Sequence, residues 1–326
     1  MKKHQTITRR NFLGTAVIAA TALSVAPLAF SCTNDSGSKF GGVQIGVITY
    51  SWRSMPSKAD DILRYCTEGN ITSLELMGNV VEEYAGIPAM PARLKRGVEH
   101  TEEEKQAYHK AREAAAVKQK EWRLNAPKEK FVELRKKFDA AGVNIHIVKF
   151  SPARWSDAEI DYAFEVAKIM GAKGVSNEIG HDACKRLGKF AEKHDMYAVF
   201  HNHAQPEQPG FSFDEFLAYS PNNMLNFDVG HYIGCTGEHP NKVIDRLHDR
   251  IFSIHLKDKT SKNNNPANTN YPWGEADTPL EDILTNIKKN KWPIHCDIEL
   301  EYKVPENSDA QQEIIKCVQY CKNILI

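Results

Sequence analysis

Short runs of β-branched and aromatic residues alternate with longer amphipathic segments along most of the chain. The runs predict eight β-strands, at residues 43–50, 71–77, 143–150, 172–178, 196–203, 224–229, 251–257 and 293–299. Apolar positions three and four residues apart predict helices near residues 58–68, 127–141, 156–170, 181–194, 212–219, 240–249, 279–289 and 308–324. This alternation predicts an α/β protein with a single-domain (β/α)8 TIM barrel at residues 43–326. An open doubly wound sheet would have the same order of elements.

The segment at about residues 78–126 interrupts the alternation after the second predicted strand. It contains a highly charged stretch from Glu102 to Arg123, whose charge pairs at i and i+4 favour a long solvated helix. We interpret the segment as a helical insertion. It is either a solvated decoration or a lid, because loops that follow barrel strands emerge at the end where barrel enzymes hold their sites.

Residues 1–31 have the pattern of an export signal, in which an apolar run at residues 12–30 follows Lys2, Lys3, Arg9 and Arg10. Residues 8–13 resemble the twin-arginine motif. Cys32 ends a loose lipobox and predicts a lipid anchor, so the expected location is the periplasm or a membrane surface. Residues 32–42, which are rich in Gly and Ser, are expected to form a flexible tether.

The composition argues against nucleic acid as a partner. The 42 Lys and Arg residues balance 42 Asp and Glu residues, and no long basic run supplies the positive surface that nucleic-acid binding requires. The six cysteines after Cys32 are irregularly spaced and predict neither a disulfide framework nor a zinc ribbon. These features favour a small-molecule substrate and leave the oligomeric state open.

Ionisable residues collect at the C-terminal ends of seven of the eight predicted strands: Glu75, Lys149, Glu178, His201 with His203, Asp228 with His231, His255 with Lys257, and Glu299 with Glu301. Strands of a parallel barrel are buried, so such groups are costly there unless they are paired or bind a metal. The C-terminal ends of parallel strands meet at one face, and the residues therefore predict one site. Imidazoles combined with carboxylates suit one divalent ion, such as Mn²⁺, Fe²⁺, Co²⁺ or Zn²⁺.

Five motifs, in this order, resemble the xylose isomerase-like barrel family: VSNEIG (175–180), FHNHA (200–204), LNFDVGH (225–231), SIHLKD (253–258) and DIELEY (297–302). This family includes sugar phosphate isomerase/epimerases, keto-sugar 3-epimerases and inosose dehydratase. The resemblance covers roughly residues 43–326 and implies a barrel that acts on a sugar with a divalent metal. It also implies that Asp228, His255 and Glu299 are metal ligands.

The chain departs from this family at strand five, where many epimerases have a glutamate and this sequence has His201. Glu178 on strand four is expected to supply the missing carboxylate ligand, an arrangement more similar to the inosose dehydratase and keto-glycoside lyase branch. Whether His201 or Glu178 completes the metal shell stays open. His203 or His201 is the expected general base, which favours β-elimination or isomerisation over a two-glutamate epimerisation.

The remaining roles are predicted from side-chain chemistry. Lys149 or Lys257 is expected to donate to an oxyanion or to protonate a leaving oxygen. The expected substrate-binding residues are Glu75, His231, Trp52 and Arg53, although Trp52 is equally plausible as a core residue. The implied function is that of a metal-dependent sugar isomerase, epimerase or lyase. Because export removes the protein from intracellular sugar phosphates, we expect an unphosphorylated sugar or keto-glycoside. The alternative is a non-catalytic carbohydrate-binding lipoprotein on the same barrel.

Overall fold

The structure, a computed structural model, describes residues 37–95 and 97–326 and contains a closed barrel of parallel strands. The barrel strands are β1 (Val43–Ile48), β2 (Ser73–Met77), β3 (Asn144–Lys149), β4 (Gly174–Glu178), β5 (Tyr197–His201), β6 (Asn223–Asp228), β7 (Ile251–Leu256) and β8 (His295–Ile298). β1 pairs with β8 on one side and with β2 on the other, so the sheet has no free edge. The predicted (β/α)8 barrel is therefore confirmed, and an open sheet is excluded.

Helices surround the barrel: α1 (Ala59–Gly69), α2 (Gly78–Ala85), α3 (Glu102–Leu124), α4 (Lys128–Ala140), α5 (Asp157–Ile169), α6 (His181–His194), α7 (Phe213–Leu217), α8 (Val229–Thr236), α9 (Asn241–Leu247), α10 (Leu280–Asn290) and α11 (Ala310–Leu325). The sequence pattern did not predict α2 or α8. Each begins directly after a strand and has only eight residues, too few to show a clear helical period. Among the described residues, no helix is both long and apolar enough to cross a bilayer.

The two faces of the strands bury different kinds of side chain. The outward face packs against the helices in one large apolar core that includes Ile254, Leu256 and Ile298. Inside the barrel, an apolar cluster of Ile147, Val199 and Met224 is separate from this core. Many other buried side chains of the strands are polar: Ser73, Glu75, His146, Ser176, Asn226, Ser253, His255 and Asp297. This interior differs from the branched aliphatic layers typical of such barrels and provides positions for chemistry.

Residues 37–42, the described part of the predicted tether, are ordered against the barrel. Lys39–Phe40 forms a short strand antiparallel to β1, and two glycines with positive φ, Gly41 and Gly42, make the turn between them. Phe40 is buried, and the Ser38 hydroxyl donates to the Ile45 carbonyl at 2.6 Å. The prediction of a flexible tether is wrong for this part because Ser38 and Phe40 have partners on the barrel. The predicted export signal and residues 32–36 lie outside the described residues.

The predicted insertion contains α2 and the long helix α3. α3 has no buried residue, but its C-terminal end is fixed to the helices around the barrel. Arg123 lies 2.7 Å from Glu82 of α2 and 3.2 Å from Glu159 of α5, and its guanidinium lies over the Trp155 ring. These contacts are with the outer helices, so they favour a decoration of the barrel wall over a lid.

Candidate metal centre and active site

The barrel brings the predicted site residues to one end because parallel strands place their C-terminal residues side by side. Asp228 pairs in register with His255, and Glu178 pairs with His201. Glu299 follows β8 directly, and its amide donates to the Leu256 carbonyl at 3.0 Å. The alternation of side chains along each strand then turns these groups towards the barrel axis.

Four of these residues form a compact group: His201, Asp228, His255 and Glu299 each offer one ligand atom, and all four atoms lie within 4.8 Å of one another. Asp228 Oδ2 is 4.0 Å from both His201 Nε2 and His255 Nδ1, and His255 Nδ1 is 2.9 Å from Glu299 Oε2. Atoms bound about 2.1 Å from one ion are separated by about 3–4 Å. The spacing therefore fits ligands of a single ion.

The chemistry of the group also fits a divalent metal. His201 is buried, and its Nδ1 has no hydrogen-bond partner among the described residues. Burial lowers the pKa of His201 well below its usual range, so its imidazole is neutral. Burial also lowers the pKa of His255, but Glu75 and Glu299 outweigh it and raise that pKa well above its usual range, so His255 must lose a proton to bind a metal. Two imidazoles with two carboxylates are donors that Zn²⁺, Mn²⁺, Fe²⁺ and Co²⁺ accept.

Glu178, the fourth ligand predicted from the sequence, lies outside this group. Its Oε1 is 3.0 Å from Lys149 Nζ and its Oε2 is 3.6 Å from His203 Nε2, while the side chain is 42% exposed. The ligand prediction for Glu178 therefore needs correction. The geometry favours His201 as the fourth member, since β5 turns this side chain towards Asp228.

Glu75 lies beneath the group and orients His255. Its Oε2 is 2.7 Å from His255 Nε2 and accepts from Asn226 Nδ2 at 2.7 Å, while its Oε1 accepts from Ser176 Oγ. Burial favours the neutral acid, but His255 outweighs it and lowers the pKa of Glu75 to about 2. The prediction that Glu75 binds substrate is wrong because the side chain is fully buried and both oxygens are occupied. Its carboxylate instead leaves His255 Nδ1 facing the ligand group.

Lys257 forms the positive centre of the site. Its ammonium nitrogen lies 2.8 Å from Asp228, 2.7 Å from Glu299 and 2.7 Å from Glu301. Burial disfavours the cation, but these carboxylates raise the pKa of Lys257 above its usual range. Although burial opposes ionisation of Glu299 too, Lys257 and His255 lower its pKa well below the usual value. Lys257 is therefore a cation that offsets part of the negative charge of these acids, and it can donate a hydrogen bond.

His203 and His231 lie at the mouth of the site. The His203 side chain is 53% exposed, and its ring centroid is 4.7 Å from those of His201 and His231. His231 is 17% exposed; burial and the positive charge of Lys257 lower its pKa to about 2. His201, His203 and His231 also offer nitrogen atoms within 4.8 Å of one another, a second ligand set that includes His203.

Two of the predicted substrate-binding residues follow β1, and the structure gives them different positions. Trp52 is fully buried, stacks on Tyr65 and donates through Nε1 to Gln311 at 2.8 Å. Its substrate-binding prediction is wrong because it belongs to the core. Arg53 is exposed and donates to the Leu300 carbonyl at 2.6 Å, beside Glu299 and at the rim of the site.

Sequence reasoning missed the supporting residues around the ligand group. Asn226 donates to Glu75 and lies 3.0 Å from His255 Nε2, and Ser176 holds the other oxygen of Glu75. The period of two along a strand gives a usable signal, because Asn226 precedes Asp228 by two residues and faces the same way. Ser176 precedes Glu178 by the same interval.

This arrangement defines a TIM barrel with a group of four side chains that could hold a metal ion at the C-terminal ends of its strands. A family profile described as "Xylose isomerase-like TIM barrel" matches residues 110–320, and the chain belongs to this family. The match confirms the resemblance that the strand-end motifs predicted.

Individual proteins of known name or structure are less similar to this chain than the family profile is. Inosose dehydratase from Clostridium beijerinckii is 31% identical over 80 residues, which are 24% of this chain and 26% of that protein, so the match spans about a quarter of each. A sugar phosphate isomerase/epimerase structure from Parabacteroides distasonis aligns over 87% of this chain and 96% of its own, with TM-score 0.57 and 14% identity. The IolI protein, solved with a zinc atom, aligns over 87% and 98%, with TM-score 0.58 and 13% identity. The two structures share the fold.

Proposed function

We propose that this protein is a divalent-metal-dependent enzyme that removes a proton from a carbon beside a carbonyl group of a sugar. The observation that carries the proposal is the buried group of His201, Asp228, His255 and Glu299 with the exposed His203 above it. Similarity to proteins named inosose dehydratase, sugar phosphate isomerase/epimerase and D-psicose 3-epimerase supports a sugar substrate. The zinc atom in the IolI structure supports metal binding.

In this proposal, the four residues of the group would hold the ion. The ion supplies a Lewis acid that stabilises negative charge on the substrate carbonyl oxygen, an effect worth several kcal/mol. Glu75 keeps His255 in the orientation that the group requires. Lys257 balances the charge of the carboxylates and presents a hydrogen-bond donor at the same end of the barrel.

His203 would accept the proton. It is exposed to an incoming substrate, and Glu178 lies 3.6 Å from its Nε2, close enough to orient the ring. A neutral imidazole can accept a proton, and histidine is the most common general base in enzymes. His201 is buried and belongs to the ligand group, which leaves it without access to a substrate proton.

The residue at strand five narrows the proposed reaction. A two-carboxylate epimerisation requires a glutamate where this chain has His201, and Glu299 already contacts Lys257 and His255. A single histidine base favours isomerisation or β-elimination. Because the sequence predicts export, the proposed substrate is an unphosphorylated sugar or keto-glycoside.

Replacement of His203 tests the proposed base. We expect His203→Ala to lower solvent-deuterium exchange into a keto-sugar by at least about a hundredfold, with the metal content unchanged. His109→Ala, which removes an exposed imidazole of α3, should leave both quantities unchanged. Exchange at the wild-type rate would exclude the base role, and loss of bound metal would instead assign His203 to the ligand set.

One observation favours a second candidate, a non-catalytic carbohydrate-binding lipoprotein. Lys257 forms ion pairs with Asp228, Glu299 and Glu301 without an ion, so the polar interior is also consistent with a metal-free binding site. Sugar binding with neither bound metal nor proton exchange in the wild-type protein would favour this candidate. Proton exchange that a chelator abolishes would exclude it.

The proposed location is the periplasm or a membrane surface. Its support is the twin-arginine pattern at residues 8–13 and the lipobox that ends at Cys32. Release of the protein from the membrane fraction by Cys32→Ala would support the anchor, and a soluble wild-type protein would contradict it.

A further inference from the structure

Five lysines lie on segments that meet at the N-terminal end of the barrel, opposite the candidate site; we call them the basic patch: Lys39, Lys288, Lys289, Lys291 and Lys322. Lys288 and Lys289 are in the last turn of α10, Lys291 follows that helix, and Lys322 is in the last turn of α11. Lys288 Nζ donates to the Leu325 carbonyl at 2.8 Å, and Lys322 Nζ lies 5.9 Å from the centre of the Phe40 ring. The patch therefore surrounds the strand that contains Lys39.

The charges of the patch are not neutralised by neighbouring acids. Within residues 37–95 and 97–326, none of the five lysines has a carboxylate oxygen within 4.0 Å, whereas Lys128 and Lys193 each pair with an acid at 2.7 Å. Four of the five are exposed, and Lys39 is half-buried. Because the whole chain balances 42 basic against 42 acidic residues, the patch is a local excess of positive charge.

Stabilisation of helix ends explains only part of this arrangement. Lys288 and Lys322 lie near helix C-termini, where a cation is favourable. Lys39 is in a strand, and Lys291 lies beyond the end of α10. A contribution to helix stability therefore does not account for the whole patch.

The chain enters the described domain beside the same patch. Gly37 lies against Thr72, which immediately precedes β2, so this entry point is at the N-terminal end of the strands. Five peptide units join Cys32 to Gly37 and span at most about 18 Å. A lipid attached to Cys32 would thus hold this end of the barrel close to a bilayer.

We propose that the basic patch binds the anionic headgroups of a phospholipid membrane, so that the candidate site faces away from the bilayer. A lipid at Cys32 would hold the chain at the bilayer, and a basic patch adds electrostatic attraction to anionic headgroups. Each lysine near an anionic surface strengthens binding by about fivefold. The proposal rests on the predicted anchor at Cys32 and is independent of the proposed catalytic function.

Co-sedimentation of the full chain with vesicles tests the charge dependence. We expect vesicles containing phosphatidylglycerol to bind the wild-type protein more tightly than pure phosphatidylcholine vesicles, and high salt to remove the difference. The comparison between the two kinds of vesicle cancels the contribution of apolar segments, because such segments bind both lipids. Combined replacement of Lys288, Lys289 and Lys291 by Glu should reduce the difference about a hundredfold.

The matched control replaces Lys110, Lys118 and Lys120 of α3, all exposed, with Glu and should keep the wild-type preference. An equal loss in this control, or no preference in the wild-type protein, would overturn the proposal. Tight binding to heparin without a preference for anionic vesicles would also overturn it, because the patch would then recognise another polyanion.

Acetylation footprinting of the wild-type protein tests the orientation. With phosphatidylglycerol vesicles, we expect slower modification of Lys288, Lys289, Lys291 and Lys322, and unchanged modification of Lys118. Protection confined to α3, or modification of the patch at its vesicle-free rate, would contradict the proposed orientation. Neither measurement depends on enzymatic activity, so a failure here is distinct from a failure of the proposed function.

Discussion

Glu75 and Glu178 are both carboxylates on strands of the barrel, but burial gives them different surroundings. Glu75 is fully buried and hydrogen-bonded to Ser176, Asn226 and His255. Glu178 is 42% exposed and faces Lys149 and His203. The first can orient a ligand from beneath, and the second can act at the mouth of the site. The two glutamates therefore have different roles because they lie at different depths along the barrel axis.

Replacement of Glu75 by Gln tests the orienting role. We expect Glu75→Gln to weaken binding of Mn²⁺ or Zn²⁺ about 10–100-fold, because His255 loses the carboxylate that fixes its ring and strengthens it as a ligand. The measurement is a metal titration with far-UV circular dichroism to confirm the fold. Glu238→Gln, in the loop between α8 and α9, is the control. Wild-type affinity in Glu75→Gln would rule out the orienting role.

Individual residues could be predicted only in part from the sequence. Their positions at the C-terminal ends of predicted strands correctly brought His201, Asp228, His255 and Glu299 to one end of the barrel. Position along the chain does not give burial, however, so Trp52 and Glu75 were both expected to bind substrate although both are fully buried. The choice between His201 and Glu178 required the distances between neighbouring strands.

At the scale of elements, α3 is attached near its C-terminal end by the buried ionic contacts of Arg123 and by Trp122, which packs against Phe131 and Tyr162. The Arg123 and Glu82 side chains are only 10% and 8% exposed, and Glu159 is 7% exposed. The rest of α3 is solvated, with acidic residues in the first turn and a capping box at Thr101. Its attachment to the barrel is therefore concentrated at its C-terminal end.

The variant Arg123→Ala tests whether α3 is attached to the barrel mainly through its C-terminal end. Loss of the guanidinium leaves Glu82 and Glu159 buried without their partner, and we expect the free energy of unfolding to fall by about 3 kcal/mol. Arg112→Ala, at an exposed position of the same helix, should change it by less than about 0.5 kcal/mol. Urea unfolding of both variants makes the comparison. Equal effects would contradict the proposed attachment.

The elements with long, regular hydrophobic patterns were the predictable ones. All eight predicted strands are present, with bounds that differ by a few residues from the prediction. α2 and α8 were missed because each has only eight residues and follows a strand directly. A segment of this length is too short for its helical periodicity to be recognised. Residues 37–42 were misassigned because their polar, glycine-rich composition does not show that Ser38 and Phe40 contact the barrel.

At the scale of the whole molecule, the two ends of the barrel differ in chemistry. The C-terminal end holds the ligand group and the exposed His203. Further along the interior lies the apolar cluster of Ile147, Val199 and Met224, and the N-terminal end carries the basic patch. This division agrees with the general separation of function and stability between the two faces of such barrels.

The metal content of the purified full chain tests the central claim most directly. After incubation with Mn²⁺, Co²⁺ or Zn²⁺ and removal of free ions, we expect about one ion per wild-type chain. Asp228→Asn keeps a side-chain acceptor for the His231 amide at the start of α8 but removes the ligand charge, so it should retain little metal. Asp277→Asn, which removes a carboxylate outside the group, is the control. Failure of the wild-type protein to bind an ion, or equal binding by Asp228→Asn, would contradict the assigned metal centre.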